Sequence, residues 1–275
     1  MKLKFFIFIV ILNSLYPQDV NYLIFFEKFI DTAKYSLKEN YGKGCQFKTK
    51  QTQNFHEAKQ FLKTLYLSHF PYTFYCNCKI ILDFTTNKIV PNTKECGYQP
   101  KSKSTVWMVN WEHVVPASRF GKMLSCWTEK LCKKNNKSYK GRKCCNEIDP
   151  CFNIMEGDAH NLVPTIYELN HDRRDYSYGI LEGEKREYGN CDFEVESSLK
   201  ITEPKENIRG DIARIYLYMS WFYKIPLTEE EKKWIEEWNT KDPPNEEEKK
   251  LNALKAKYNG NENPFVTYYK LQSIN

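Results

Sequence analysis

The 275-residue chain reads as an α+β protein, mixed in its N-terminal half, largely helical in its C-terminal half, and stapled by disulfides. Three observations carry that reading. Apolar residues recur at helical spacing near both ends, two central runs are aromatic and β-branched as strands are, and ten cysteines follow a leader of export type.

Lys2 and Lys4 make that leader basic, and Phe5–Leu12 is an unbroken apolar run, shorter than the roughly 20 residues a membrane-spanning helix needs. Residues 1–18 are therefore expected to be an export signal, cut near Ser14–Gln18. Residues 19–275 are expected to form one domain, since no internal repeat or long low-complexity linker divides them. With no later stretch apolar enough to span a bilayer, the expected product is a soluble monomer, secreted or periplasmic, with its cysteines oxidised. Structural zinc is the weaker reading, because Cys76-x-Cys78 and adjacent Cys144-Cys145 lack the usual ligand spacing. The two adjacent cysteines should each bridge elsewhere.

Val20–Lys38 spaces Leu23, Phe26, Ile30 and Leu37 as a helix does, and Phe55–Tyr66 repeats the pattern with Phe61, Leu62 and Leu65. Thr73–Phe84 predicts a strand tied down by Cys76 and Cys78, and Thr105–Trp111 a second strand. Arg119–Pro150 should be irregular, basic and disulfide-bonded. Asp158–Leu169 predicts a short helix with Asp158 as its N-cap, and Ile208–Tyr223 a buried amphipathic one. Thr228–Asn239 opens with the capping box Thr228-x-x-Glu231, and Glu246–Tyr258 is a last, exposed helix.

The formal charge is +6, but its distribution says more. Lys130, Lys133, Lys134, Lys137, Lys140, Arg142 and Lys143 crowd one stretch, while Glu229–Glu248 is rich in acids. Such a basic loop can hold phosphates through contacts that ignore base sequence. Composition fits a solvated, cysteine-stapled loop equally well.

Two segments carry candidate chemistry. Trp111-Glu-His-Val-Val-Pro-Ala-Ser118 sets a carboxylate beside an imidazole and stops the run with a proline. Asp158-Ala-His-Asn-Leu-Val-Pro164 adds an amide on the predicted helix. Glu112 and the Asn161 oxygen are hard ligands suited to Mg²⁺, and His113 can take a proton from attacking water. Neighbours in a strand face opposite ways, so Glu112 and His113 can share a site only if the strand ends or bends there; Pro116 is compatible with that. Taken alone, a Glu-His pair reads as surface and structure, and a lone asparagine as a cap. His160, about 100° around the predicted helix from Asn161, is assigned a structural hydrogen bond.

Taken in order, Thr73-Phe-Tyr-Cys-Asn-Cys78, Cys96-Gly-Tyr-Gln99, Trp111–Ala117, Phe120-Gly121, Cys126-Trp127, Asp158–Pro164, Glu168–Arg173, Arg209-Gly-Asp-Ile-Ala-Arg214, Tyr216–Met219 and Asn263–Val266 resemble the endonuclease I family of exported bacterial nucleases. The resemblance implies a ββα-metal (His-Me finger) site with His113 as general base and Glu112 and Asn161 as the protein ligands of one Mg²⁺. It implies sequence-non-specific hydrolysis of DNA, and of RNA, through phosphate contacts, leaving 5′ phosphates. Asn170 and Arg173 match an Asn-x-x-Arg element that fits phosphate contact or scaffolding alike. The family places an arginine between the Cys-Trp pair and the next cysteine. Here that interval reads Thr128-Glu-Lys-Leu131, leaving Lys130 as the expected substitute. That departure leaves open a catalytically impaired member that only binds nucleic acid; a binding module of other ancestry would explain the cysteines but not the ordered motifs.

Overall fold

In the computed structural model, which describes residues 54–101, 108–183 and 185–269, the first element is helix α1, Phe55–His69. Asn54 caps it by accepting from the Glu57 N–H at 3.0 Å. Its buried face, Ala58, Leu62, Leu65 and Tyr66, packs with Ala159, Leu162 and Leu251. The leader, the predicted Val20–Lys38 helix and Cys45 lie outside the described residues.

Strands β1, Lys79–Asp83, and β2, Lys88–Asn92, form an antiparallel hairpin followed by the short helix α2, Thr93–Cys96. The strand expected from Thr73 begins only at Lys79. Thr73 instead folds a turn: its carbonyl accepts from Asn77 and its hydroxyl from the Cys78 N–H, while Asn77 takes φ 54°. Disulfides Cys76–Cys191 and Cys78–Cys96 hold that turn from two sides.

Strand β3, Val109–His113, pairs antiparallel with β6, Leu162–Ile166, with Glu112 opposite Val163 and His113 opposite Leu162. A helix, Tyr167–Arg173, follows β6 directly and completes a ββα unit. Asp158–Leu169 is thus not one helix. A 3-10 turn, Ala159–Asn161, capped by Asp158, leads into the strand. Leu162-Val-Pro-Thr-Ile166 is fully buried and contains a proline and β-branched residues, which favour a strand over a helix.

Between β3 and β6 the chain is more ordered than expected. It holds α3, Ala117–Gly121; α4, Ser125–Thr128; the hairpin of β4, Cys132–Lys134, and β5, Lys137–Tyr139; α5, Arg142–Ile148; and α6, Pro150–Glu156. None exceeds two turns, so periodicity cannot reveal them. Cys126–Cys145 and Cys132–Cys144 tie them together, so the adjacent cysteines do bridge elsewhere. Cys151 is disulfide-bonded as well.

The Tyr167–Arg173 helix, α7, leads to a three-stranded sheet of order β7, β9, β8: Ser177–Tyr178, Ile201–Pro204 and Phe193–Glu196. The rest is helical, as expected: α8, Arg209–Tyr223; α9, Glu229–Lys241; α10, Glu246–Asn259; and α11, Pro264–Thr267. The Thr228/Glu231 capping box is formed in both directions. No described helix is long and apolar enough to cross a membrane.

The Arg209–Arg214 motif is structural. Arg214 grips both Glu248 oxygens and the Asp242 carbonyl, joining α8 to α10. A Cβ on Gly210 would lie 1.8 Å from the Asp242 carbonyl oxygen. Gly210→Ala should therefore destabilise the fold by about 1–3 kcal/mol, measured by thermal denaturation.

Candidate active site

His113 is the last residue of β3, where the chain leaves the strand. Glu112 and His113 line one open cleft of about 430 Å³, as the sequence required of them.

Asn161 secures that exit. Its side-chain oxygen accepts from the Val115 N–H at 2.7 Å, its amide donates to the Val115 carbonyl at 2.9 Å, and its own carbonyl accepts from Val114. It is fully buried and absent from the cleft lining, so it clamps the backbone just after Glu112 and His113. The structure does not bring it to Glu112 as a ligand. Asn170 shares the cleft with Glu112 instead. It sits on α7 and lines the cleft; its amide donates to Asn110 Oδ1 at 2.6 Å and the Trp111 carbonyl at 3.3 Å. Its Oδ1 has no partner among the described residues.

Arg173, one turn on, is fully buried and makes no phosphate-facing contact, contrary to the binding role considered for it. One guanidinium nitrogen donates to Glu112 Oε1 at 2.8 Å and to the His113 carbonyl at 2.9 Å, the other to the Val114 carbonyl at 2.7 Å. Its charge also lies over the Tyr178 ring. Arg173 is therefore scaffolding. It occupies one oxygen of Glu112, with Tyr75 alongside at 3.4 Å, and leaves Oε2 without a protein partner among the described residues. Burial pushes the Glu112 carboxyl up to about 7, against the pull of Arg173.

The His113 Nε2 lies 2.9 Å from the Glu156 carbonyl. A carbonyl only accepts, so Nε2 carries the proton and Nδ1 keeps its lone pair. Burial, with Arg142, pushes the imidazole down to about 3, so it is neutral at neutral pH. Phe55 packs on the ring at 4.9 Å.

Arg142, which the sequence reading counted only as one charge of the basic loop, is the residue that stands where Lys130 was expected. Lys130 is exposed and outside the cleft lining, whereas Arg142, at the start of α5, lines it. Its Nε donates to the Glu156 carboxylate, and its charge lies 5.4 Å from the Phe55 ring centre. Its two terminal nitrogens have no partner among the described residues. Glu156 thus holds His113 through its carbonyl and Arg142 through its side chain. Arg174 and Trp127 also line the cleft. Trp127 lies against Gly121, where any Cβ would meet the indole at 2.1 Å. His160 is structural, as expected, bonded to the Asn261 carbonyl at 2.8 Å.

The available oxygens, Glu112 Oε2 and Asn170 Oδ1, are a carboxylate and a neutral amide, a donor pair that suits Mg²⁺. Among the described residues no three His, Cys, Asp or Glu side chains converge as a metal cluster.

The Cys126–Cys145 and Cys132–Cys144 bridges close loops of 19 and 12 residues around Trp127 and Arg142, each contributing about 3 kcal/mol. Reduction should loosen this segment and lower nuclease activity at least tenfold. Full activity in protein shown by thiol titration to be reduced would contradict this.

The family model for Endonuclease I matches residues 33–269. An extracellular deoxyribonuclease of Aeromonas hydrophila is 41% identical over 216 residues, 78% of this chain and 88% of its own length. A periplasmic deoxyribonuclease of the same organism is 39% identical over 218 residues, with 78% and 86% covered. Endonuclease-1 of Buchnera aphidicola subsp. Acyrthosiphon pisum (strain APS) is 38% identical over 234 residues, with 85% and 88% covered. The disulfides, the ββα unit and these relatives converge: the chain belongs to the endonuclease I family and is an exported nuclease, secreted or periplasmic.

Proposed function

We propose that the cleft hydrolyses phosphodiester bonds of DNA and RNA without reading base sequence, that it needs Mg²⁺, and that the protein works as a monomer. The observation that carries this is the convergence of the His113 Nδ1 lone pair with Glu112 and Asn170 in one cleft.

His113 Nδ1 takes a proton from the water that attacks phosphorus. The Glu156 carbonyl, still bonded to Nε2–H, stabilises the imidazolium that forms. Arg142 faces the phosphate and offsets charge on its non-bridging oxygens, with a planar fork that Lys130 lacks. Mg²⁺ held by Glu112 and Asn170 would supply positive charge to the phosphate and the departing 3′ oxygen. Water enters as the bond to that 3′ oxygen breaks, so phosphate remains on the 5′ end. Arg173 fixes Glu112 and the His113 backbone throughout.

Contacts through phosphate oxygens position a substrate without selecting sequence. The reading of a catalytically impaired, binding-only member rested on the missing arginine, and Arg142 removes that support. The test is nicking of supercoiled plasmid by oxidised protein with Mg²⁺ or with chelator. Cleavage that disappears in chelator is expected. DNA binding without cleavage in Mg²⁺ would return the binding-only reading.

A further inference from the structure

The β4–β5 hairpin serves no part of the chemistry, yet its make-up is unusual. Its register sets Lys134 directly opposite Lys137 and Lys133 opposite Ser138, and all three lysines are exposed. None has an acidic partner among the described residues. Like charges directly opposite one another destabilise a strand pair. The fold imposes this pairing anyway, with a two-residue turn in which Asn135 and Asn136 take φ 48° and 61°. The Cys132–Cys144 disulfide fastens the hairpin root to α5. A rigid, pinned element that concentrates unneutralised positive charge is more than a solvated loop requires.

Its position adds the second observation. Arg142 stands five positions after Lys137, a reach of at most about 17 Å at roughly 3.4 Å per residue. One strand of a DNA duplex rises about 3.4 Å per nucleotide, so the hairpin can span about five nucleotides from the Arg142 phosphate. The Gly141 N–H bonds to the Cys126 carbonyl at 3.0 Å, and Lys140 Nζ to the Thr128 carbonyl at 2.8 Å. The hairpin is thereby braced against the wall that carries Trp127.

We propose that this hairpin is a cationic arm that lies along the phosphate backbone of duplex DNA beside the cleft and lengthens the enzyme's footprint beyond the cleaved bond. A polyanion neutralises the Lys134/Lys137 repulsion, so binding relieves a strain that folding leaves in place. The proposal rests on the nuclease reading above, but its test does not need catalysis.

The full oxidised protein and its Lys133→Gln/Lys134→Gln/Lys137→Gln variant are titrated in chelator with a labelled 30-base-pair duplex, by fluorescence anisotropy from 50 to 300 mM KCl. Each lost phosphate contact lowers the salt slope of log affinity by about 0.9, so the variant's slope should fall by about 2.7, with at least about a tenfold loss of affinity near 100 mM. A slope and affinity equal to wild type overturn the arm, whether or not the protein cleaves. Failure of wild type to cleave in Mg²⁺ with the slope change present overturns the nuclease reading and leaves the arm. A second variant, Lys137→Glu, places an acid opposite Lys134. It should raise the melting temperature and weaken DNA binding together; binding that tracks stability upward would mark the hairpin as structural only.

Discussion

His113→Ala is expected to lower plasmid cleavage about a thousandfold while leaving salt-sensitive DNA binding in place. The size follows from what is removed. In the proposed mechanism the imidazole is the proton acceptor of the cleft; it is neutral, with Nε2 committed to the Glu156 carbonyl. Loss of the ring also unpacks Phe55, which contacts it at 4.9 Å, so the melting temperature should drop slightly. Measuring cleavage well below that temperature separates the two effects. Activity within tenfold of wild type would remove His113 from the role of base.

The second large effect distinguishes two asparagines that sequence alone confuses. Asn170→Ala should lower cleavage at limiting Mg²⁺ by at least about 100-fold, the upper end of what loss of an outer partner costs a metal site. Raising Mg²⁺ should restore part of the loss, and the melting temperature should change little. Asn161→Ala should do the reverse. It strips both partners from the buried Val115 peptide groups and should cost about 2–4 kcal/mol of stability, with a Mg²⁺ dependence close to wild type in the protein that remains folded. A Mg²⁺ requirement that shifts for Asn161→Ala and not for Asn170→Ala would assign the ligand to Asn161 after all.

Why the sequence points to Asn161, when the structure brings Asn170 to the cleft, is physical. Asp158 and the spacing of Leu162 and Leu169 look helical, but Leu162–Ile166 is buried on every residue against β3. Burial on all sides erases the alternation that would announce a strand, and only Pro164 and the β-branched residues hint at it. Once β6 is recognised, the next helix starts at Tyr167 and Asn170 comes to the cleft in its first turns.

Arg142 was hidden by a different cause. Counting from Cys126 to the next cysteine in sequence stops at Cys132, but the bonded partner of Cys126 is Cys145. Arg142 lies inside that loop, beyond a hairpin whose own cysteine intervenes. Connectivity, which spacing cannot give, decides which interval matters. By contrast α1, α8, α9 and α10 were legible because three or more turns give a clear period. Glu112 and His113 were legible through the ordered motifs around them, since the pair taken alone reads as surface and structure.

The Cys76–Cys191 bridge spans 115 residues and has a consequence for timing. A chain made at about 5–20 residues per second leaves Cys76 waiting about 6 to 23 s before Cys191 exists. Strands β3 and β6 likewise meet only after the whole 114–161 segment is present. No early fragment of the chain can therefore close the cleft, and a cell that threads it outward before completion is never exposed to a finished blade.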